Sequence, residues 1–180
     1  MGEVLKYAFI ENNCNYKHSL FFFEYLTLCC EKLLELEAMT VMRVIEYALN
    51  LKISVVNQDE KETNLRKILN FGHTYGHAIE TLGNYKKFLH GEAIVQGMFF
   101  IFNYAYSKNM ITYSYYRLAM DLLSKYGFKY SKPKCKSSKL LDIMKKDKKV
   151  QNEKITFIVP CDKRKVEYIQ LEDSEILDLI

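Results

Sequence analysis

The sequence predicts a mainly α-helical domain that ends in a small β-hairpin, and three observations carry that expectation. Only two prolines and seven glycines punctuate 180 residues, so little in the chain forbids helix. Long segments place apolar residues three and four apart, the spacing that builds one face of a helix. After Lys154 the pattern changes to two β-prone runs, 155–159 and 165–171, separated by Pro160, Cys161, Asp162, Lys163 and Arg164.

The elements follow in order. Residues 21–37 and 40–54 read as two amphipathic helices joined near residues 37–39, both rich in good helix formers. Residues 60–82 read as a third helix, stopped by Gly83 and Asn84, followed by 91–108 and by 116–126 before Gly127. The hairpin comes next, and Asp173 or Ser174 is placed to cap a short last helix. No internal repeat or low-complexity linker interrupts the chain, and its length fits one domain spanning 1–180.

Composition narrows the function classes. Apolar residues make up 49% and charged residues 27% of the chain, which is globular rather than disordered composition. The net charge of +4 is carried mainly by lysine, with only Arg43, Arg66, Arg117 and Arg164 as arginines. Eleven lysines fall between Lys125 and Lys154. Little aromatic interleaving follows Tyr130 there and no arginine fork occurs, so the run reads as a solvated surface and no nucleic-acid partner is expected. Five cysteines without a C-x-x-C pair suggest neither a disulfide framework nor a thiolate zinc site, and they fit a reducing, cytoplasmic setting. No basic-then-apolar leader opens the chain. The apolar stretch 93–106 is too short and, with Gln96 and Asn103, too polar to cross a bilayer, so no membrane association is expected.

The informative segment runs through Glu62, Arg66, Asn70, His73, His77 and Glu80. The steps are four, four, three, four and three residues, so a single helix would align all six side chains on one face. Leu65, Ile68, Leu69, Ala78 and Ile79 supply apolar surface beside that row, which therefore reads as the lining of a cleft. Gly72 and Gly76 each cost a helix about 1 kcal/mol relative to alanine, so close backbone approach is expected there. Three of the four histidines, His73, His77 and His90, lie within eighteen residues, while His18 is far away. A lone histidine is most often structural; a pair four apart with a third just downstream, beside Glu and Arg, makes a metal or acid–base site as good a reading. Thr74 stands where the H-E-x-x-H protease motif places its glutamate, which disfavours peptide hydrolysis.

R-K-I-L-N-F-G-H-T-Y-G-H-A-I-E, from Arg66 to Glu80, followed by L-H-G-E-A-I-V-Q-G-M, from Leu89 to Met98, resembles the central signature of the 3-dehydroquinate synthases. The opening G-E-V-L-K-Y, the segment from Lys52 to Glu62 and the D-K-K at 147–149 resemble further elements of that family, so the likeness runs from Gly2 to about Val159. Two departures stand out. Asn64 replaces a usual glycine, a mild change because asparagine tolerates the left-handed conformation, and Gln96 replaces a usually apolar residue.

The resemblance implies a multi-helix C-terminal domain of the dehydroquinate synthase-like fold. It implies conversion of 3-deoxy-D-arabino-heptulosonate 7-phosphate to 3-dehydroquinate and phosphate, in the shikimate route to aromatic amino acids. It implies Glu3, His73 and His90 as ligands of zinc, or of another divalent ion such as cobalt, with open positions for substrate. His77 would be the general base, with Glu62 as a possible companion, since an imidazole suits proton traffic near neutral pH. Lys6, Lys52, Arg66, Asn70 and one of Lys148 or Lys149 would hold the carboxylate, hydroxyls and phosphate of the substrate. Taken singly, Glu3 at a chain end and lysines on a charged surface are more often unremarkable.

No glycine-rich strand-turn-helix accompanies these elements. The NAD that the resemblance implies would have to be held by a separate N-terminal α/β half, and the chain alone is not expected to turn over. That half makes an expected partner, along with a sugar phosphate and, by resemblance, a second subunit in a homodimer. A gene fragment, a split subunit and a decayed copy all remain open. So do two alternatives for function: another sugar-phosphate cyclase of the inosose or valiolone synthase type, and a helical interaction domain without activity.

Overall fold

The computed structural model describes residues 1–16, 19–147, 154–162 and 164–180. Helix predominates, as the spacing of apolar residues requires: α1 (Gly2–Ile10), α2 (Phe22–Leu28), α3 (Cys30–Leu34), α4 (Ala38–Gln58), α5 (His73–Leu82), α6 (His90–Ser107), α7 (Tyr113–Lys125), α8 (Ser137–Asp147) and α9 (Asp173–Leu177). Strands β1 (Ile155–Cys161) and β2 (Lys165–Leu171) pair antiparallel between α8 and α9, with Phe157 opposite Ile169 and Val159 opposite Glu167.

Helix α6 is the centre of the packing. Its residues from Ala93 to Phe102 are all buried, and α1, α5, α7 and β1 all pack against it. A helix apolar on every side is one enclosed by others. Beneath the future site, the Phe9 ring meets those of Phe23, Phe71 and Phe102 at centroid distances of 5.9, 6.1 and 4.9 Å. These edge-on contacts tie α1, α2 and the entry to α5 onto α6, each adding about 0.5–1.5 kcal/mol beyond burial.

Several sequence expectations are corrected. Residues 60–82 do not form one helix. Leu65–Asn70 is a 3-10 turn, Gly72 takes the left-handed conformation at φ 79°, and α5 starts only at His73. Backbone crowding explains the break. The Gly72 carbonyl lies against Gly97 on α6, where a Cβ on Gly97 would come within 1.8 Å of that oxygen. The chain must turn at Gly72 for the two segments to approach so closely. Asn64 is not left-handed either (φ −142°); the positive φ falls on Glu62 instead.

The expected helix 21–37 is broken at Cys29, and the last helix is entered from Glu172, whose N–H donates to the Glu175 carboxylate (3.0 Å). Pro160, expected in the turn, lies within β1; a two-stranded sheet leaves room for a residue that cannot donate. Helices α1 and α8 were not anticipated. Gln96 gains an explanation: buried on α6, it donates to Lys129 O (2.9 Å) and accepts from Ser131 N–H (2.7 Å), fastening the segment that follows α7. Among the described residues, no helix is long and apolar enough to cross a membrane.

Candidate functional site

Three helix starts meet at one point. Glu3 lies in the first turn of α1, His73 is the first residue of α5 and His90 is the first residue of α6. Each helix start presents unpaired N–H groups and a partial positive charge, a setting that favours a carboxylate. Glycine makes the meeting possible, because a Cβ on Gly2 would lie 1.9 Å from Gly91 O. Any larger residue would push α1 off the start of α6, and Glu3 with it.

Lys6, one turn after Glu3, is 2% exposed and donates to Glu3 Oε2 (2.9 Å) and to Leu69 O (2.6 Å). The other oxygen of Glu3 is different. Oε1 is buried and accepts no hydrogen bond, yet it stands 3.5 Å from His73 Nε2 and 3.8 Å from His90 Nε2. Burial opposes ionisation of Glu3, but Lys6 and the two imidazoles outweigh it and hold the carboxyl below its usual range. Burial, reinforced by the Lys6 ammonium, lowers His73 to about 4, which leaves a neutral ring at neutral pH.

The far nitrogens of both rings are occupied. His73 Nδ1 lies 3.1 Å from Phe71 O, an acceptor, so the ring proton belongs on Nδ1 and the Nε2 lone pair faces Glu3. His90 Nδ1 lies 3.2 and 3.3 Å from the two oxygens of Glu80, with the same consequence. Two imidazole lone pairs and one bare carboxylate oxygen thus converge with nothing between them to donate. Such an arrangement repels itself unless a cation sits in the middle. A tetrahedral ion bound at about 2.0–2.2 Å needs donors roughly 3.3–3.6 Å apart, close to the spacings observed, so the residues present fit a zinc-like ion.

His77 completes a triangle of rings, 5.3 Å from His73 and 5.9 Å from His90 between centroids. Glu80 is 7% exposed and holds the Nδ1 side of His90, a contact to which the sequence reading gave no role. The signal was available: a carboxylate three residues beyond His77, at the end of the same polar row. His77, Glu80 and His90 also come close enough to form a second donor group. The Glu3 group is the better ion site, because Glu80 holds the Nδ1 side of His90 while Glu3 offers the oxygen that lacks a partner.

The remaining predicted residues lie on neighbouring elements. Asn70 donates to Glu62 Oε1 (2.9 Å), and Arg66 donates to Glu60 O (2.7 Å). Their loop is organised by Asp59, whose carboxylate accepts from the backbone N–H groups of Thr63, Asn64 and Arg66; the Arg66 bond contributes most to lowering its pKa to about 2. Lys52 is exposed on α4, and its charge reaches Lys6. No hydrogen bond or ion pair joins Lys52, Glu62, Arg66 or Asn70 to Glu3, His73 or His90 among the described residues. Lys148, expected to bind substrate, and Lys149 lie outside the described residues.

The chain is similar to known proteins over nearly its full length. The chain is 38% identical over 176 residues to the 3-dehydroquinate synthase of Alkaliphilus metalliredigens, an alignment covering 98% of this chain and 48% of the relative. It is likewise 38% identical over 178 residues to that of Dictyoglomus thermophilum, covering 98% and 48%. The chain thus spans about half the length of these curated relatives. A solved 2-epi-5-epi-valiolone synthase from Streptomyces hygroscopicus subsp. jinggangensis, with NAD+ and Zn2+ bound, shares the fold at TM-score 0.80 and 17% identity, covering 99% of this chain and 48% of that one. A 2-deoxy-scyllo-inosose synthase with carbaglucose-6-phosphate, NAD+ and Co2+ shares it at TM-score 0.69 and 23% identity, covering 99% and 50%. A family model described as 3-dehydroquinate synthase C-terminal matches residues 1–150, and with relatives this similar over nearly its full length the chain belongs to that family.

Proposed function

We propose that the chain is the metal- and substrate-holding part of a 3-dehydroquinate synthase, acting on 3-deoxy-D-arabino-heptulosonate 7-phosphate with an NAD-holding half. The observation that carries this reading is the buried, unpartnered Oε1 of Glu3, faced by the Nε2 atoms of His73 and His90. A divalent ion held there would grip vicinal hydroxyls and acidify the one whose carbon gives up hydride to NAD, as a Lewis acid does.

This chain's own residues do the rest. Lys6 fixes Glu3 and supplies a buried positive charge beside the hydroxyl that ionises. Glu80 and Phe71 O orient the two imidazoles. His77, next to both rings, is placed to move protons to and from the substrate. Lys52, Arg66, Asn70 and Lys148 would receive its anionic ends and hydroxyls, and Glu62 would orient Asn70 through the hydrogen bond they already share. The reaction places the protein in chorismate and aromatic amino acid biosynthesis, in the cytoplasm, with a homodimer as the working assembly.

Two measurements test the reading. Metal analysis after dialysis against zinc should find one ion per chain, reduced to trace in E3A/H73A. Supplied with the NAD-holding half of a relative, the chain should release phosphate and form 3-dehydroquinate. Absence of stoichiometric zinc sinks the proposal, and a different carbocyclic product would assign another cyclase of the inosose or valiolone type.

A further inference from the structure

Helices α2 and α7 and the turn of the hairpin enclose a cavity of about 460 Å³ that Glu3, His73, His77 and His90 do not line. Leu20, Phe23, Leu28 and Leu118 give it apolar walls, which suits the carbon body of a small organic molecule.

Three polar side chains reach the same space. Arg164 takes a left-handed φ of 55° and lays its guanidinium over the Phe21 ring (4.0 Å). Two carboxylates share that guanidinium. Its Nε lies 3.1 Å from Glu11 Oε1, and its Nη1 donates to Glu24 Oε1 (2.5 Å). Glu11 is completed by the N–H groups of Phe22 and Phe23, which donate to it at 2.5 and 3.4 Å. Glu24 is left incomplete, because its Oε2 is buried and accepts no hydrogen bond among the described residues. Tyr115 is 8% exposed, and its hydroxyl likewise has no partner among the described residues. Burial pushes that phenol well above its usual range, so it stays protonated and can both donate and accept. Polar atoms buried in this way cost about 1–3 kcal/mol each unless something meets them.

Charge decides what fits. With two carboxylates to one guanidinium, an added anion would meet surplus negative charge, whereas a cation would offset it. Burial, with the Glu24 charge beside it, pushes Glu11 up to about 7, so the surplus at neutral pH is partial but of the same sign. An ammonium carries three donors and no acceptor. Glu24 Oε2 and Tyr115 Oη can take two of them, while the apolar walls receive the rest of the molecule.

We propose that this cavity is a second binding site, for a primary amine carried on an aromatic or branched apolar body, with the ammonium held between Glu24 Oε2 and Tyr115 Oη. The site uses no residue of the metal centre, so it is tested separately from the function proposed above.

The test is a ligand-observed NMR titration of the full chain, with zinc supplied, using three probes that share one body: phenethylamine, 2-phenylethanol and 3-phenylpropanoate. Phenethylamine should bind once per chain with Kd about 1 mM or tighter, and the other two about tenfold more weakly or worse. E24Q should weaken the amine about tenfold and Y115F about threefold, with circular dichroism and zinc content unchanged. Should E24Q fail to fold, L118W serves instead: half-exposed Leu118 stands at the cavity wall, and tryptophan there should fill the space and abolish binding. Absence of saturable binding by phenethylamine overturns the proposal. Equal affinity for the alcohol reduces the cavity to an apolar slot, and tighter binding of the propanoate makes Arg164 the anchor of an anion; either result overturns it too. Amine binding that survives both E24Q and L118W places the ligand elsewhere and does the same.

Discussion

Glu80 places both carboxylate oxygens within 3.3 Å of His90 Nδ1, and so turns the opposite nitrogen of that ring toward Glu3. The His90 side chain is half exposed, and Glu80 is the hydrogen-bond partner of its Nδ1. E80A should therefore weaken zinc binding by about 10- to 100-fold, measured by competition with a chelator, while E80Q should lose less because an amide oxygen still accepts. Equal zinc affinity in E80A and the parent would remove Glu80 from the site.

Gly2 and Gly91 make the second prediction. With 1.9 Å between a Cβ on Gly2 and Gly91 O, G2A cannot keep Glu3 where it is. Zinc affinity should collapse while circular dichroism and the melting temperature change little, since α1 is anchored farther along by buried Leu5, Phe9 and Ile10. Unchanged zinc content in G2A would show that the α1 start tolerates displacement.

Gly72 should respond differently. Alanine there meets both a left-handed backbone, costing about 1–2 kcal/mol, and a contact of 2.7 Å with Ile94 O, costing about 1–3 kcal/mol more. G72A should lose stability in urea titration by about 2–5 kcal/mol, whether or not zinc is present. The aromatic floor gives a comparable figure. Phe102 is fully buried between Phe9, Phe71 and Tyr115, so F102A should cost about 3–5 kcal/mol.

Asp59 supplies a pH test with a definite sign. Its folded pKa of about 2 lies below the ordinary 3.8, because three backbone N–H groups and the Thr63 hydroxyl donate to the carboxylate. A depressed carboxyl contributes stability that is present above the unfolded value and lost as pH falls through the folded one. The urea midpoint of the parent should exceed that of D59N above pH 4, and the gap should close between pH 4 and pH 2. A gap independent of pH would mean that Asp59 acts through shape alone.

Much of the site was legible because chemistry clusters along the chain. His73, His77 and Glu80 share one helix, and their spacing alone placed them on a common face. The break at Gly72 was not legible. Helical spacing continues across it from Glu62 to Glu80, and only the close approach of Gly97 to the Gly72 carbonyl forces the chain out of helix there. The left-handed position fell on Glu62 rather than Asn64, in a loop whose Thr63, Asn64 and Arg66 N–H groups donate to the Asp59 carboxylate.

By itself the sequence determined the helical class, the hairpin, the row of histidines and the likeness to a family, because local spacing and residue type are written along the chain. It supplied Glu3 as a ligand only through that likeness. Only the tertiary structure decided that Glu3 stands 3.5 Å from His73, seventy residues away, and that its oxygen lacks a donor. The physical reason is that three helix starts are brought together by glycine contacts and an aromatic floor, and convergence of that kind depends on packing between elements.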